Sequence, residues 1–327
     1  MVSVRFSHYI CPTLNPNQKS QIMNPTVDSI HIHFSTNNLY VLNACLALLM
    51  FSIALEIKFD NFKTLAQQPK AVIIGLISQL IIAPLLTLLL VFIFQPAPSV
   101  GLGMIAISAC PGGNNSIFCT HLAKGNTALS VTTTTISVLA SMLTLPLYLL
   151  LGAQVTHIDK NMPGVVVLNF GDVFSIIFWL IIVPLCLGMF IGSLKSAFVQ
   201  KLIKPFKIIS QLLFFSLIIG GVASNFENIK NYLQYVFGIV AVLNVVMLAT
   251  GYFFAKLNKL TESDARALAF ETGIHNVTIA LIIIFNFFNG LGGMALIAAW
   301  YGIWDLITGF TLATFWQKKQ VSKGILA

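Results

Sequence analysis

From about residue 39 to residue 316 the chain is a succession of apolar stretches separated by short polar turns. A hydrocarbon core takes about 20 apolar helical residues to cross, and within it only helices and closed barrels satisfy their own backbone polar groups. Stretches of this length fit helices. We read nine spans, at about 39–57, 71–94, 99–123, 127–152, 168–192, 207–225, 232–256, 267–289 and 293–316, the third and eighth interrupted. Composition agrees: 57% of residues are hydrophobic and only 9% are charged, too few to solvate a globular surface of this size. The expectation is an all-α polytopic membrane protein. A polar, irregular tail covers 1–38, with Met23 as an alternative start, one transmembrane domain covers 39–317, and a cytoplasmic tail covers 318–327.

The net charge of +8 is distributed in a way that points to a bilayer and not to nucleic acid. Fourteen of the 18 basic residues fall in alternate loops and the carboxyl-terminal tail: Lys58, Lys63, Lys70, Lys124, Lys195, Lys201, Lys204, Lys207, Lys256, Lys259, Arg266, Lys318, Lys319 and Lys323. Basic loops stay cytoplasmic. The amino terminus is therefore expected outside and the carboxyl terminus inside, in a bacterial inner (plasma) membrane. Of the five cysteines, only Cys11 lies outside an apolar segment, and their spacing is not that of a metal site.

One carboxylate breaks the apolar pattern. Glu271 is the sole charged residue between Ala267 and Asn289. A charge at bilayer depth costs on the order of 3 kcal/mol by insertion scales, which marks it as functional. Gly273 follows two residues later, where a helix is weakened by about 1 kcal/mol. A helix broken there frees carbonyls beside the carboxylate, the makings of a cation cage. The third span carries a second break at Cys110-Pro111-Gly112-Gly113-Asn114-Asn115-Ser116. Pro111 lacks a donor and turns Cys110 away from the helix, and irregular backbone at this depth survives only against protein or a watery cavity. Two interrupted spans, one early and one late, are the mark of an inverted-repeat secondary transporter. In the fourth span Ser130 and Thr134 share a helical face, whereas Thr132, Thr133 and Thr135 are expected to bond their own backbone.

Cys-Pro-Gly-Gly at 110–113, Ala123-Lys124-Gly125-Asn126-Thr127-Ala128-Leu129-Ser130 and Glu271-Thr272-Gly273-Ile274-His275-Asn276 together resemble the bile acid:sodium symporter family. Gln67, Pro69, Lys70 and Gln79, and Ala313-Thr314-Phe315-Trp316, extend the likeness over nearly the whole chain from about residue 39. The resemblance implies a nine-helix member with core and panel domains and two crossing broken helices. It implies a first sodium site at Ser116, Ser130, Thr134 and Glu271. A second would use the side chains of Gln79 and Glu271 with backbone carbonyls of Glu271, Thr272 and Ile274. Asn114 and Asn276 match positions facing the substrate cavity. Three positions depart from the family pattern. Ile117 replaces an Asn whose amide Asn115 is placed to supply, His275 replaces a Gln of the second site, and Asp305 brings an acid to a cavity-facing position of the last span.

The function expected is sodium-coupled symport of an organic anion, bile-acid-like or a small carboxylate, by alternating access, with one or two sodium ions, no organic cofactor and no obligate protein partner. A proton-coupled or mixed carrier, in which the side chains of His275 and Asp305 pair, is the alternative, followed by a passive channel or sensor. An enzyme is not expected, since no nucleophile–base pair stands out.

Overall fold

The computed structural model describes residues 36–55, 67–156, 170–194 and 233–325, with residues 158, 201, 205–206, 208–209, 212 and 216. The expected sixth span, the polar tail and two basic loops lie largely outside the described residues.

All named elements are helices. The first is α1 (Thr36–Ala54). Next comes α2 (Pro69–Phe94), with Pro69 at its first turn, where a missing donor costs nothing. The first broken span comprises α3 (Pro98–Ser108) and α4 (Asn114–Leu122). Asn126 caps the long α5 (Thr127–Val155), its side-chain oxygen accepting the Leu129 N–H at 3.1 Å. Phe170–Ile177, a π turn at Phe178–Ile182 and Val183–Ser193 together form α6. They are followed by α7 (Leu233–Leu257), the second broken span α8 (Glu262–Gly273) and α9 (Val277–Phe287), and finally α10 (Gly292–Ile325). Among the described residues five helices, α2, α5, α6, α7 and α10, are long and apolar enough to cross a membrane. Shorter apolar helices accompany them at α3, α9 and within α1. The chain is an all-α polytopic membrane protein.

The same hexapeptide pattern produces the same backbone feature twice. Leu80-Ile81-Ile82-Ala83-Pro84-Leu85 and Leu180-Ile181-Ile182-Val183-Pro184-Leu185 each follow or overlap a five-residue π turn, at Ser78–Ile82 and Phe178–Ile182. Proline has no N–H to return to the carbonyl four residues back, and the ladder loosens by one residue just before it. In α2 the orphaned carbonyl is that of Leu80, and the Tyr148 hydroxyl of α5 donates to it at 2.9 Å.

Glycines allow close packing where the helices meet. A Cβ on Gly188 of α6 would lie 2.5 Å from the Phe51 carbonyl of α1, and Gly192, one turn on, meets the Leu55 carbonyl the same way. α7 packs along α8, and a Cβ on Gly273 would come within 2.5 Å of the Leu248 side chain. Gly273 thus serves close approach as well as the break. α1 meets α9 through a reciprocal amide pair, Asn43 and Asn286 each donating to the other at 2.9 and 2.8 Å.

Two boundaries differ from the sequence reading. Glu262, Asp264 and Arg266 belong to the first turns of α8 and not to a loop, because Thr261 caps it by accepting the Asp264 N–H. Arg266 is buried and donates to the Ala123 carbonyl at 2.8 Å, tying the start of α8 to the end of α4. The last helix runs on to Ile325, through the basic residues expected in a tail.

Candidate functional site

Both spans expected to break do so, and the two breaks cross. Residues 109–113 and 274–276 leave the helix, and Gly112 and His275 form an isolated antiparallel bridge. The Asn276 N–H donates to the Pro111 carbonyl at 2.8 Å. Two helix C-termini (α3, α8) and two N-termini (α4, α9) therefore end at one place, with partial negative and positive charge respectively.

Glu271, in the last turn of α8, points into this crossing and is fully buried. Its Oε1 accepts from the Ser116 hydroxyl at 2.7 Å and the Ser130 hydroxyl at 2.5 Å, and its Oε2 accepts from Thr134 at 2.6 Å. Ser116 comes from the first turn of α4, Ser130 and Thr134 from one face of α5. Three hydroxyls from two helices converge on the single carboxylate supplied by a third, and these are the four residues that the family resemblance grouped. Thr132 and Thr135 bond carbonyls of their own helix at 2.8 and 2.7 Å; the buried Thr133 hydroxyl has no such bond.

Gly112 makes room for this carboxylate. A Cβ there would lie 2.6 Å from Glu271 Oε2, 3.1 Å from Ser116 Oγ and 3.3 Å from Gln79 Nε2. Gln79 sits in the π turn of α2, is 1% exposed, and neither its amide nitrogen nor its oxygen has a hydrogen-bond partner. An unpartnered amide of this kind costs about 1–3 kcal/mol, so it marks a place prepared for something else. Its neighbour Ser78 bonds the Thr272 hydroxyl at 2.9 Å.

The unwound backbone accounts for more of the oxygen supply. In an intact helix the N–H groups of His275, Asn276 and Val277 would close on the carbonyls of Glu271, Thr272 and Gly273. Here they go elsewhere: His275 to Asp305 Oδ2 at 3.0 Å, Asn276 to Pro111, and Val277 to the His275 carbonyl at 3.0 Å. The carbonyls of Glu271 and Thr272 are released beside a carboxylate and an unpartnered amide. That donor set, all oxygen with one negative charge, suits a hard monovalent cation.

Other expected residues are placed differently. The side chains of His275 and Asp305 do not pair. Asp305 takes the main-chain N–H of His275, which the broken helix leaves without its usual acceptor, and Oδ1 accepts from Asn244 at 2.8 Å. The His275 ring instead lies 3.3 Å through Nδ1 from the Tyr301 hydroxyl, and its Nε2 is buried without a partner. Asp305 is only 2% exposed. Asn115 is exposed and outside the cluster, whereas Asn114 and Asn276 are half-buried where α4 and α9 begin. Asn244 and Tyr301 were missed by the sequence reading; an Asn in the middle of an apolar span was the available signal for the first.

The site is thus a helical membrane bundle in which two interrupted spans cross beside two buried acids, Glu271 and Asp305. A family model described as Sodium Bile acid symporter family matches residues 43–232. An uncharacterized sodium-dependent transporter, YocS, of Bacillus subtilis is 31% identical over 278 residues, covering 85% of this chain and 83% of that one. A probable chloroplastic sodium/metabolite cotransporter, BASS2, of Oryza sativa subsp. japonica is 27% identical over 276 residues, 84% of this chain and 63% of its own. The ileal sodium/bile acid cotransporter of Homo sapiens is 26% identical over 245 residues, 75% of this chain and 68% of its own. The chain belongs to the sodium bile acid symporter family.

Proposed function

We propose that this protein couples the inward sodium gradient to uptake of an organic anion by alternating access. The observation that carries the reading is the Glu271 carboxylate, buried at the crossing and held by Ser116, Ser130 and Thr134. A first sodium ion is taken among these four residues. A second is taken by Gln79 and Glu271 with the carbonyls of Glu271, Thr272 and Ile274, beside His275; the unpartnered Gln79 amide and the diverted helical donors support it. Ile117 removes an amide oxygen from the first site, and His275 replaces an amide at the second. Sodium on Glu271 stabilises the crossing and so fixes the two helix N-termini at Asn114 and Asn276, which attract the carboxylate of the substrate. Coupling then requires only that the ions favour one conformation over the other.

The architecture we propose is a nine-span inverted repeat with the amino terminus outside. Helices carrying the breaks form a core that moves against a panel containing α1 and α6, and the glycine-mediated contact between α1 and α6 supports treating those two as one body. The substrate is a small carboxylate or a bile-acid-like anion. The relatives' names span both sodium/metabolite and sodium/bile acid cotransport.

Proteoliposomes given sodium and pH gradients separately test this reading. Uptake of a carboxylate panel should follow the sodium gradient and vanish in Glu271→Gln. Uptake driven by the pH gradient alone, unaffected by sodium, would overturn it.

A further inference from the structure

An unwound segment that binds an ion must keep some carbonyls open and close others, and here side chains from outside the candidate ion cluster do the sorting. We propose that Asp305, Asn244 and Tyr301 are positioning residues of the sodium site, selecting which carbonyls of 271–274 face the ion. The inference rests on the sodium reading above and deepens it.

The donor accounting gives each residue a distinct part. Asp305 Oδ2 captures the His275 N–H, the donor that would otherwise close on the Glu271 carbonyl. Gly273 is the opposite case. Its carbonyl is freed when Val277 turns to the His275 carbonyl, yet it accepts from both Asn244 Nδ2 at 3.1 Å and the Tyr301 hydroxyl at 3.0 Å. A carbonyl has two lone pairs, so that of Gly273 is fully used and turned toward α7 and α10. The next residue, Ile274, is extended at φ −112° and ψ 111°. Successive groups of an extended chain face opposite sides, so anchoring Gly273 on one side sends the Ile274 carbonyl to the other.

Asn244 links the arrangement, because the same amide nitrogen donates to Gly273 and to Asp305 Oδ1. Asn244 is fully buried and Asp305 nearly so, which removes competition from water. Both carboxylate oxygens of Asp305 are thus engaged, Oδ2 by the His275 N–H and Oδ1 by the Asn244 amide.

The test is the sodium-dependent rise in melting temperature of the purified full-length protein, titrated at constant ionic strength, for the natural protein, Asp305→Asn and Tyr301→Phe. Asp305→Asn swaps one acceptor oxygen for an amide donor, so either His275 or Asn244 loses its partner. Its half-saturating sodium concentration should rise on the order of tenfold, the equivalent of one lost hydrogen bond to a charged group. Tyr301→Phe keeps the ring and removes one of two donors on Gly273, for a rise of roughly threefold. A purely structural role would lower the sodium-free melting temperature and leave the sodium midpoint unmoved. Natural midpoints in both variants would overturn the inference while the sodium reading stands. No sodium response in the natural protein would remove both, and that arm tells the two failures apart.

Discussion

Replacing Gly112 with Ala puts a methyl group into the most crowded point of the crossing. The new carbon would stand 2.6 Å from Glu271 Oε2, where ordinary contact requires roughly 0.8 Å more. A free carboxylate would swing aside at little cost. This one is held at 2.5–2.7 Å by three hydroxyls, so its retreat must break or stretch at least one of those bonds. A hydrogen bond to a charged group contributes about 1.5–3 kcal/mol. Lost from the ion-binding conformation, that is a roughly 10- to 100-fold rise in the sodium concentration for half-maximal binding. The control is one residue away. Gly113 is extended (φ −137°, ψ −175°), a conformation any residue adopts, and a Cβ there would meet nothing closer than Asn276 Cβ at 3.5 Å. Gly113→Ala should therefore shift the midpoint by no more than about twofold. Sodium titrations of thermal stability and of uptake in proteoliposomes measure both variants. Equal damage from the two would mean that flexibility of the break, and not space beside Glu271, is what the glycines supply; a natural midpoint for Gly112→Ala would refute the geometry outright.

Tyr148→Phe leaves the Leu80 carbonyl without its donor and should cost about 1–3 kcal/mol, seen as a lower melting temperature in sodium-free detergent with little change in uptake per folded molecule. Arg266→Lys removes the bond to the Ala123 carbonyl and the guanidinium lying 5.8 Å from the centre of the Trp316 ring. A point charge on a flexible stem replaces neither, so a loss of about 1–3 kcal/mol is expected by the same melting assay.

What could be read from residues alone was the chemistry that violates the bilayer's rules. Glu271 stood out because an acid in hydrocarbon needs a reason, and Pro111 and the glycine pair because they remove a helical donor and loosen the turn. Helical periodicity put Ser130 and Thr134 on one face, and only the family resemblance joined them and Ser116 to Glu271. Tertiary contacts decided the rest. The π turn around Gln79 stems from Pro84, a residue that looks unremarkable within an apolar run, and only the folded chain shows that the amide has no partner. His275 and Asp305 invited pairing as side chains. The break itself created a stronger claimant in the His275 N–H, and this could not be seen without knowing which backbone donors were displaced. Arg266 was assigned to a loop because charge marks loops in such chains; here the charge caps the end of α4.

The account depends most on sodium being held at Glu271. Equilibrium binding of radioactive sodium to the purified protein measures that directly, with Glu271→Gln as comparison. Saturable binding of one or two ions by the natural protein, lost in the variant, is the result predicted; the same number of ions bound with the same affinity by both would contradict it.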